Sequence, residues 1–460
     1  MRVVEAERLR EDLTEYTADV FASLTRSGWQ ERAGWYLHGL MLDGRRKSIQ
    51  PMAARLGGAV HEQALNHFVT NSPWPVEPVR ARIAELIDEA ISPVAWAIDD
   101  TGLLKYGTAS PCVARQYTGT AGKVTNCQIA VSVSMVTDTA SCPVNWRLFV
   151  PESWDPASPK AHPDVQARRR KAGIPGDLVH REKWRLALDM LDELIGWGRQ
   201  PPLIVADSGY GDNAEFRYEL AQRGLAYVVQ VSGDLNAYPL ATQRTTLARS
   251  WTGRPPVPRY RDPESTLTKL VMAAGPGAAR RITWRPGSRR RGGRPQMMSS
   301  RFVILRIRPA GRVLRRLHRG RDLPAAWLIA EWPRGTAEPV KYWLSNLPAT
   351  ITKRILVRWA KLRWRIEHDY REVKTGLGLD HYEGRTWTGW HHHVTLVSAA
   401  HAFCTLQRLN PKPLRRNDPL RRTPTPAAPA RLPDRYVSDL QNPVPATETQ
   451  TPAKTMTKHY

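Results

Sequence analysis

Three features of the 460-residue sequence predict an α/β protein that begins with a helical region. Apolar residues recur at helical spacing up to about residue 88. Three apolar or alternating runs follow, at 94–98, 128–136 and 144–150. From 181 to 232, helix-like and strand-like stretches then alternate. A repeat near 3.6 marks a helix with one buried face and a repeat of 2 marks a strand, so the periods give the order of elements.

In the first region, "AGWYLHGLM" and "PVRARIAELIDEAI" carry the helical repeat. Between them Ser48 stands where a cap would, Pro51 falls in a first turn, and Gly57-Gly58 breaks the helix before another from about Val60. Helix, glycine turn, helix, preceded by Arg45, Arg46 and Lys47, fits a helix-turn-helix reader of DNA, although any small helical bundle shows the same pattern.

The strands come next. "VAWAI" is a short apolar run that ends in Asp99 and Asp100. "QIAVSVSMV" alternates, with Ile129, Val131, Val133 and Met135 on one face, and "VNWRLFV" follows. Short connections make these an antiparallel meander. The helix "REKWRLALDMLDELIGWG", the buried strand "PLIVADSGYG", the helix "NAEFRYELAQRG" and the strand "AYVVQVS" then imply parallel pairing in the same sheet. Three antiparallel strands followed by parallel βα units is the order of a ribonuclease-H-like core. The expected division is therefore a helical N-terminal domain at 1–88 and the first part of the core at 89–233. A basic, β-rich insertion at 234–345 precedes the core's completion by a long helix at 346–408, and a Pro-rich disordered tail occupies 409–460. Within the insertion, "RPGSRRRGGRPQ" reads as a basic loop.

Composition narrows the partner. Lys and Arg number 68 against 43 Asp and Glu, a net charge of +25. Such a surplus favours a polyanion, because each phosphate neutralised releases condensed counterions. No apolar run approaches the roughly 20 residues that span a bilayer. The N-terminal "MRVVEAERLREDLTEY" has no signal-peptide apolar region, so a cytoplasmic protein without a membrane partner is expected. Cys112, Cys127, Cys142 and Cys404 are too scattered for a disulfide framework, and no CxxC pair suggests zinc. The adjacent His391, His392 and His393 would point in different directions on a helix, so a surface or DNA-facing role is expected of them rather than a metal. The chain has no GxxxxGK[ST] or GxGxxG, so nucleotide use is not indicated.

The chemistry is expected from three acids. Asp99 and Asp207 each sit at the C-terminal end of a predicted strand, and the two strands would be neighbours. Either acid alone could be a simple turn cap. From Ile351, apolar residues recur at 355, 359, 362, 366, 370 and 373, a core-facing stripe on one long helix through 374. Glu367 lies at the edge of that stripe, with Arg363 four residues before it and Lys374 seven after, on the same face. These charges read either as a solvated salt-bridge face or as a carboxylate set among phosphate-holding cations. Three carboxylates suit metal-assisted phosphoryl transfer, in which Mg²⁺ takes oxygen ligands and two ions stabilise the attacking and leaving oxygens.

On "IDDTG", "KYG", "ARQYTGTAGKVTNCQIAVS", "ADSGYG" and "LRWRIEHDYREVKTGLGLDHYEGRTW", the chain resembles bacterial insertion-sequence transposases of the DDE superfamily, in the subgroup with a Tyr-Arg-Glu-Lys signature. The similarity runs from roughly residue 30 to 405. It implies cut-and-paste transposition by metal-dependent hydrolysis and strand transfer, with two Mg²⁺ ions for which Mn²⁺ can substitute. The implied partners are double-stranded DNA, as terminal inverted repeats and target, and a second copy of the chain when two ends are synapsed. The implied metal-binding, catalytic acids are Asp99, Asp207 and Glu367, with Asp100 a rival for the first and Glu372 for the third. Arg363 and Lys374 match the signature cations, but Ala360 stands where the signature has tyrosine, with Trp359 beside it. Arg371 on the same helix, Lys105, Arg115 and Lys123 in the loop that also holds Tyr117 and Gly119, and Arg45, Arg46 and Lys47 are the expected DNA contacts. A catalytically silent DNA-binding descendant and a nuclease without strand transfer are the alternatives.

Overall fold

In a computed structural model of the chain, the described residues are 3–57, 60–245, 259–260, 262–291, 294–319 and 321–409. Five helices come first: α1 (Val3–Val20), α2 (Ser27–Met41), α3 (Ile49–Leu56), α4 (Glu62–Thr70) and α5 (Val76–Ile91). The α5 stripe Val79, Ile83, Ala84 and Ile87 is buried, and the helix stops at Ser92 in a left-handed conformation, φ 45°. Ser48 holds the N-cap position of α3, yet its hydroxyl makes no capping hydrogen bond.

The meander is β1 (Ala95–Leu104), β2 (Ala114–Thr118), β3 (Lys123–Val136) and β4 (Ser141–Leu148). Helices α6 (Val165–Ala172) and α7 (Lys183–Gly196), strand β5 (Ile204–Ala206), the single turn α8 (Ser208–Gly211), helix α9 (Ala214–Gln222) and strand β6 (Tyr227–Val231) follow. Strands lie in the order β4, β3, β1, β5, β6; β1 pairs antiparallel with β3 and parallel with β5, and β5 runs parallel to β6. That order and those directions make the core ribonuclease-H-like.

The next residues extend the same sheet. They comprise β7 (Asn236–Pro239), β10 (Ser265–Thr266), α10 (Leu267–Ala274), β11 (Arg280–Arg291), β12 (Arg294–Pro309), α11 (Arg312–Leu317), β13 (Ala326–Glu331) and β14 (Lys341–Ser345), while β8 (Arg244–Thr245) and β9 (Arg259–Tyr260) pair with each other in a separate two-stranded sheet. β14 pairs antiparallel with β6, and β13, β12, β7 and β10 continue outward, giving one 12-stranded sheet. The segment read as a basic loop is therefore largely strand. Arg285↔Met298 and Pro286↔Met297 pair β11 with β12, because flanking residues such as Ile282 and Phe302 have cross-strand partners to join.

The long helix expected over 351–374 is broken. α12 (Lys353–Ala360) and α13 (Trp364–Arg371) are separated by a turn at 361–363, and a π-helical turn covers Glu372–Gly376. Across the break the bonds tighten to three-residue spacing, Leu362 N–H to Trp359 O at 3.1 Å and Ile366 N–H to Arg363 O at 3.1 Å. Tertiary tethers on either side account for it. Lys361 pairs with Glu331, and Arg363 reaches Asp99.

The last helix, α14 (Trp387–Leu409), is buried on nearly every side, against α2, α4, α5 and β4. Its histidines are consequently not surface groups. His392 stacks on Trp74 at 3.7 Å and its ring nitrogens lie 2.8 and 2.9 Å from the Val69 and Trp74 carbonyls. His393 Nδ1 lies 2.9 Å from the Tyr36 hydroxyl. His391, half-buried, sits against Arg80. The expected DNA-facing role for these three is thereby overturned. The Pro-rich tail expected from 409 lies, beyond Leu409, outside the described residues. Among those residues no helix is long and apolar enough to cross a membrane.

Candidate active site

The alternation of β1 sorts its side chains. Ala95 and Ala97 join the core beneath α12 and α13, with Leu356, Leu362 and Ile366, whereas Trp96 and Ile98 join the core beneath α7. Asp99 continues the first series and Asp100 the second. Asp100 accordingly meets Lys183 of α7, at 2.5 Å. β1 does not end at Asp99, as the apolar run suggested, but continues to Leu104 because β3 pairs with it throughout. β5 does end. Its last paired residue, Ala206, is opposite Ile98, so Asp99 and Asp207 both fall just past the point where the two strands part.

Asp207 then caps α8, its carbonyl accepting the Gly211 N–H at 2.7 Å. This turn demands glycine at 211, since a Cβ there would stand 1.9 Å from the Gln230 carbonyl oxygen of β6. The Asp207 Oδ1 is buried without a well-formed hydrogen bond, although the Gly209 and Tyr210 N–H groups lie close enough to its carboxylate to favour the charged form.

Arg363 joins the third acid to the first. Its Nη1 donates to Asp99 at 2.7 Å and its Nη2 to Glu367 at 3.1 Å. Burial pushes the Asp99 carboxyl up to about 7, against the pull of Arg363 and with a further push from Asp207 and Asp100. Burial likewise raises Asp207, with Arg363 opposing it. Glu367 is exposed, 65% by side chain, and meets the other acids only through Arg363. Two tyrosines that the spacing of motifs did not single out lie within electrostatic reach: buried Tyr210, whose hydroxyl has no partner, and Tyr370, whose hydroxyl is 2.7 Å from Ser132 Oγ. Both stand inside quoted motifs, but nothing in the motif marks a ring that walls a site.

Glu372 occupies a different environment. It lies 3.5 Å from His368, 3.6 Å from His401 and 3.3 Å from Arg408. Burial would raise its carboxyl, but those neighbours hold it down at about 2. His368, Asp369 and Glu372 are the one trio among the described residues whose metal-ligating atoms all lie within 4.8 Å of one another. Asp99, Asp207 and Glu367 are not drawn in so tightly, with the Arg363 guanidinium among them.

The expected cations divide into two groups. Arg45, Arg115, Lys123 and Arg371 are exposed, as is Arg46, which pairs with Glu383 at 2.9 Å. Three lysines are not free surface charges. Lys47 is buried, its ammonium on the Leu42 carbonyl, and burial lowers it to about 8. Lys105 donates to the Tyr382 carbonyl at 2.6 Å and is lowered likewise to about 8. Lys374 does not flank Glu367. The π-helical turn carries it to the Gly102 carbonyl and the Thr120 hydroxyl, each at 2.9 Å. At the departure from the signature, Ala360 is buried and Trp359 packs against the core rather than toward the acids.

The donor set fits a hard divalent cation. It is all oxygen, it includes a buried carboxylate oxygen without a well-formed hydrogen bond, and a single guanidinium now answers the negative charge.

A ribonuclease-H-like core carrying acids on two adjoining strands and a following helix defines a class of metal-assisted nucleases and strand-transfer enzymes. Residues 19–291 match the family described as DDE superfamily endonuclease, and residues 182–403 match the transposase DDE domain. The first match takes in more than half of the chain, which therefore belongs to the DDE superfamily of endonucleases. The chain is 32% identical over 200 residues to the "Probable transposase for insertion sequence element IS701" of Microchaete diplosiphon, covering 43% of this chain and 47% of that one. It thus spans about half the length of this curated relative. Among solved structures it is similar to the piggyBac transposase synaptic complex with hairpin DNA, at 11% identity and a TM-score of 0.34, over 96% of this chain and 84% of the other.

Proposed function

We propose that the protein is the transposase of an insertion sequence, cutting DNA at the element's two ends and joining the freed 3′ hydroxyls to target DNA. The observation that carries this reading is the meeting of Asp99 and Asp207 where β1 and β5 part, with Arg363 linking Asp99 to Glu367. Asp99, Asp207 and Glu367 would hold two divalent ions, Mg²⁺ or Mn²⁺. When bound, these would activate the attacking oxygen and stabilise the leaving one.

The chain's own residues do the rest. Asp99, whose carboxyl burial pushes up to about 7, would be held as a carboxylate by a bound cation. Arg363, which bonds Asp99 and Glu367, would be the cation placed to meet a backbone phosphate beside the scissile bond. Buried Tyr210 and half-buried Tyr370 would line the inner side of the site. The +25 charge supplies attraction to double-stranded DNA in the cytoplasm, and two copies would hold the two ends together. The division into a DNA-reading N-terminal domain, an interrupted core and a β-rich insertion is part of this reading.

The test is Asp207→Asn on the purified protein with duplexes carrying the element's ends. Mg²⁺-dependent cleavage should fall below about 1% of wild type, because losing a metal ligand removes several kcal/mol of transition-state stabilisation. End binding should persist. Cleavage surviving at a higher level sinks the assignment, and cleavage without joining to target DNA by wild type reduces the function to that of a nuclease.

A further inference from the structure

Four of the eleven exposed large apolar side chains among the described residues fall within 104–124: Leu104 at 45%, Tyr106 at 108%, Tyr117 at 65% and Val124 at 54%. Large apolar side chains exposed together in one short stretch of chain suggest a binding surface. Tyr117 and Val124 are direct cross-strand partners on the β2–β3 hairpin, and Arg115 pairs with Asn126 two residues along.

This hairpin is held in place beside the acids. Thr120 donates its hydroxyl to the Gly102 carbonyl at 3.1 Å, and Lys374 donates to both groups. Gly102 is three residues from Asp99, about 10 Å along a strand. The approach is so close that a Cβ on Gly102 would stand 1.9 Å from Thr118 Oγ1. The loop before the hairpin is also fixed: Asn126 donates to the Lys105 and Gly107 carbonyls at 2.8 and 2.9 Å, and Arg168 to that of Thr108 at 3.1 Å. Tyr106 therefore projects from a tethered backbone. An aromatic ring held out in water on a tethered backbone can bind without first being ordered.

Charge selects the partner. Residues 104–126 contain Lys105, Arg115 and Lys123 and no Asp or Glu, and Arg115 and Lys123 are exposed. Exposed aromatics interleaved with bases, and free of acids, fit unpaired nucleic acid, since every base offers a face for stacking while the cations track phosphates.

We infer that Tyr117, with Tyr106, stacks on bases unpaired from the DNA end next to the scissile phosphate, the β2–β3 hairpin serving as a strand-separating element. This rests on the transposase reading. It places base contact on the hairpin and phosphate contact on Arg115 and Lys123, and it gives Lys374 the task of anchoring the hairpin.

The experiment uses full-length protein and duplexes of the element's inverted repeat with 2-aminopurine at the positions flanking the cleavage site. Wild type should change the 2-aminopurine emission on binding. Tyr117→Ala should abolish that change and weaken end binding roughly tenfold. Its salt slope should stay the same, and Tyr117→Phe should behave as wild type. Arg115→Ala should instead flatten the salt slope by about one unit and keep the emission change. A Tyr117→Ala protein with unaltered thermal unfolding that binds and perturbs the probe like wild type overturns the inference. So does a Tyr117→Ala effect confined to self-association of DNA-free protein, which would make the patch a contact between copies. Failure of the transposase reading looks different: wild type itself then neither binds nor cuts the ends.

Discussion

Arg363 bonds Asp99 at 2.7 Å and Glu367 at 3.1 Å, so deleting it leaves a carboxylate that is nearly buried without its counter-charge. Arg363→Ala should therefore destabilise the metal-free protein by about 2 kcal/mol in urea unfolding, the loss being limited because Asp99 can take up a proton. It should also flatten the salt dependence of end binding by about one unit. Lys374→Ala should leave that slope nearly unchanged, because the Lys374 ammonium is already committed to Gly102 and Thr120. If both variants flatten the slope equally, Lys374 reaches phosphate after all and its bonds to Gly102 and Thr120 break when DNA binds. The sequence set these two cations together on one helical face. The π-helical turn after Arg371 separates them.

Two elements make claims of their own. The tip of the β2–β3 hairpin closes on β1 at Thr118 because residue 102 lacks a side chain. Gly102→Ala should cost about 2 kcal/mol or displace the hairpin, seen as lost hydrogen-exchange protection at 118–123. Helix α14 contributes to the pH dependence. Burial holds His392 at about 4 and His393 at about 3, below the ordinary histidine value. A folded state that resists protonation loses stability wherever the unfolded chain binds more protons. The contribution of His392 is thus complete above about pH 6.5 and is lost as pH falls toward 4, on the order of 3 kcal/mol. Glu372, held at about 2, adds a separate loss at still lower pH. His392→Gln should flatten the stability curve between pH 4 and 6.5 by about one proton. An unchanged curve would show that His392 protonates freely in the folded protein.

For the whole molecule, the strands of residues 234–345 are joined edge to edge with those of β1 to β6. β6 would otherwise end the ribonuclease-H-like sheet with an open edge, and β14 covers it by antiparallel pairing at Tyr342↔Val231 through Ser345↔Val228. Loss of the β14 pairing should therefore expose the β6 edge. The +25 charge acts at the same scale. End binding should weaken steeply with salt, and sedimentation with end duplexes at low salt should give two chains on two ends. One chain per end at saturating DNA would count against synapsis by a dimer.

The sequence alone determined what depends on near neighbours in the chain. Period 2 over 128–136, the apolar run before Asp99, and the strand and turn of "ADSGYG" put the meander, the βα units and two acids in order. Those signals are local, because burial on one face must repeat along the strand or helix that bears it. Only the tertiary structure decided the rest. Whether Asp99 or Asp100 meets Arg363 depends on which core lies on each side of β1. The break at 361–363 depends on Glu331 and Asp99, which are distant in the chain. The burial of His391, His392 and His393 depends on which helices pack around α14, and the commitment of Lys47, Lys105 and Lys374 on carbonyls that the fold brings to them. A side chain's partner is chosen by packing, and packing couples residues whose separation in sequence carries no periodic trace.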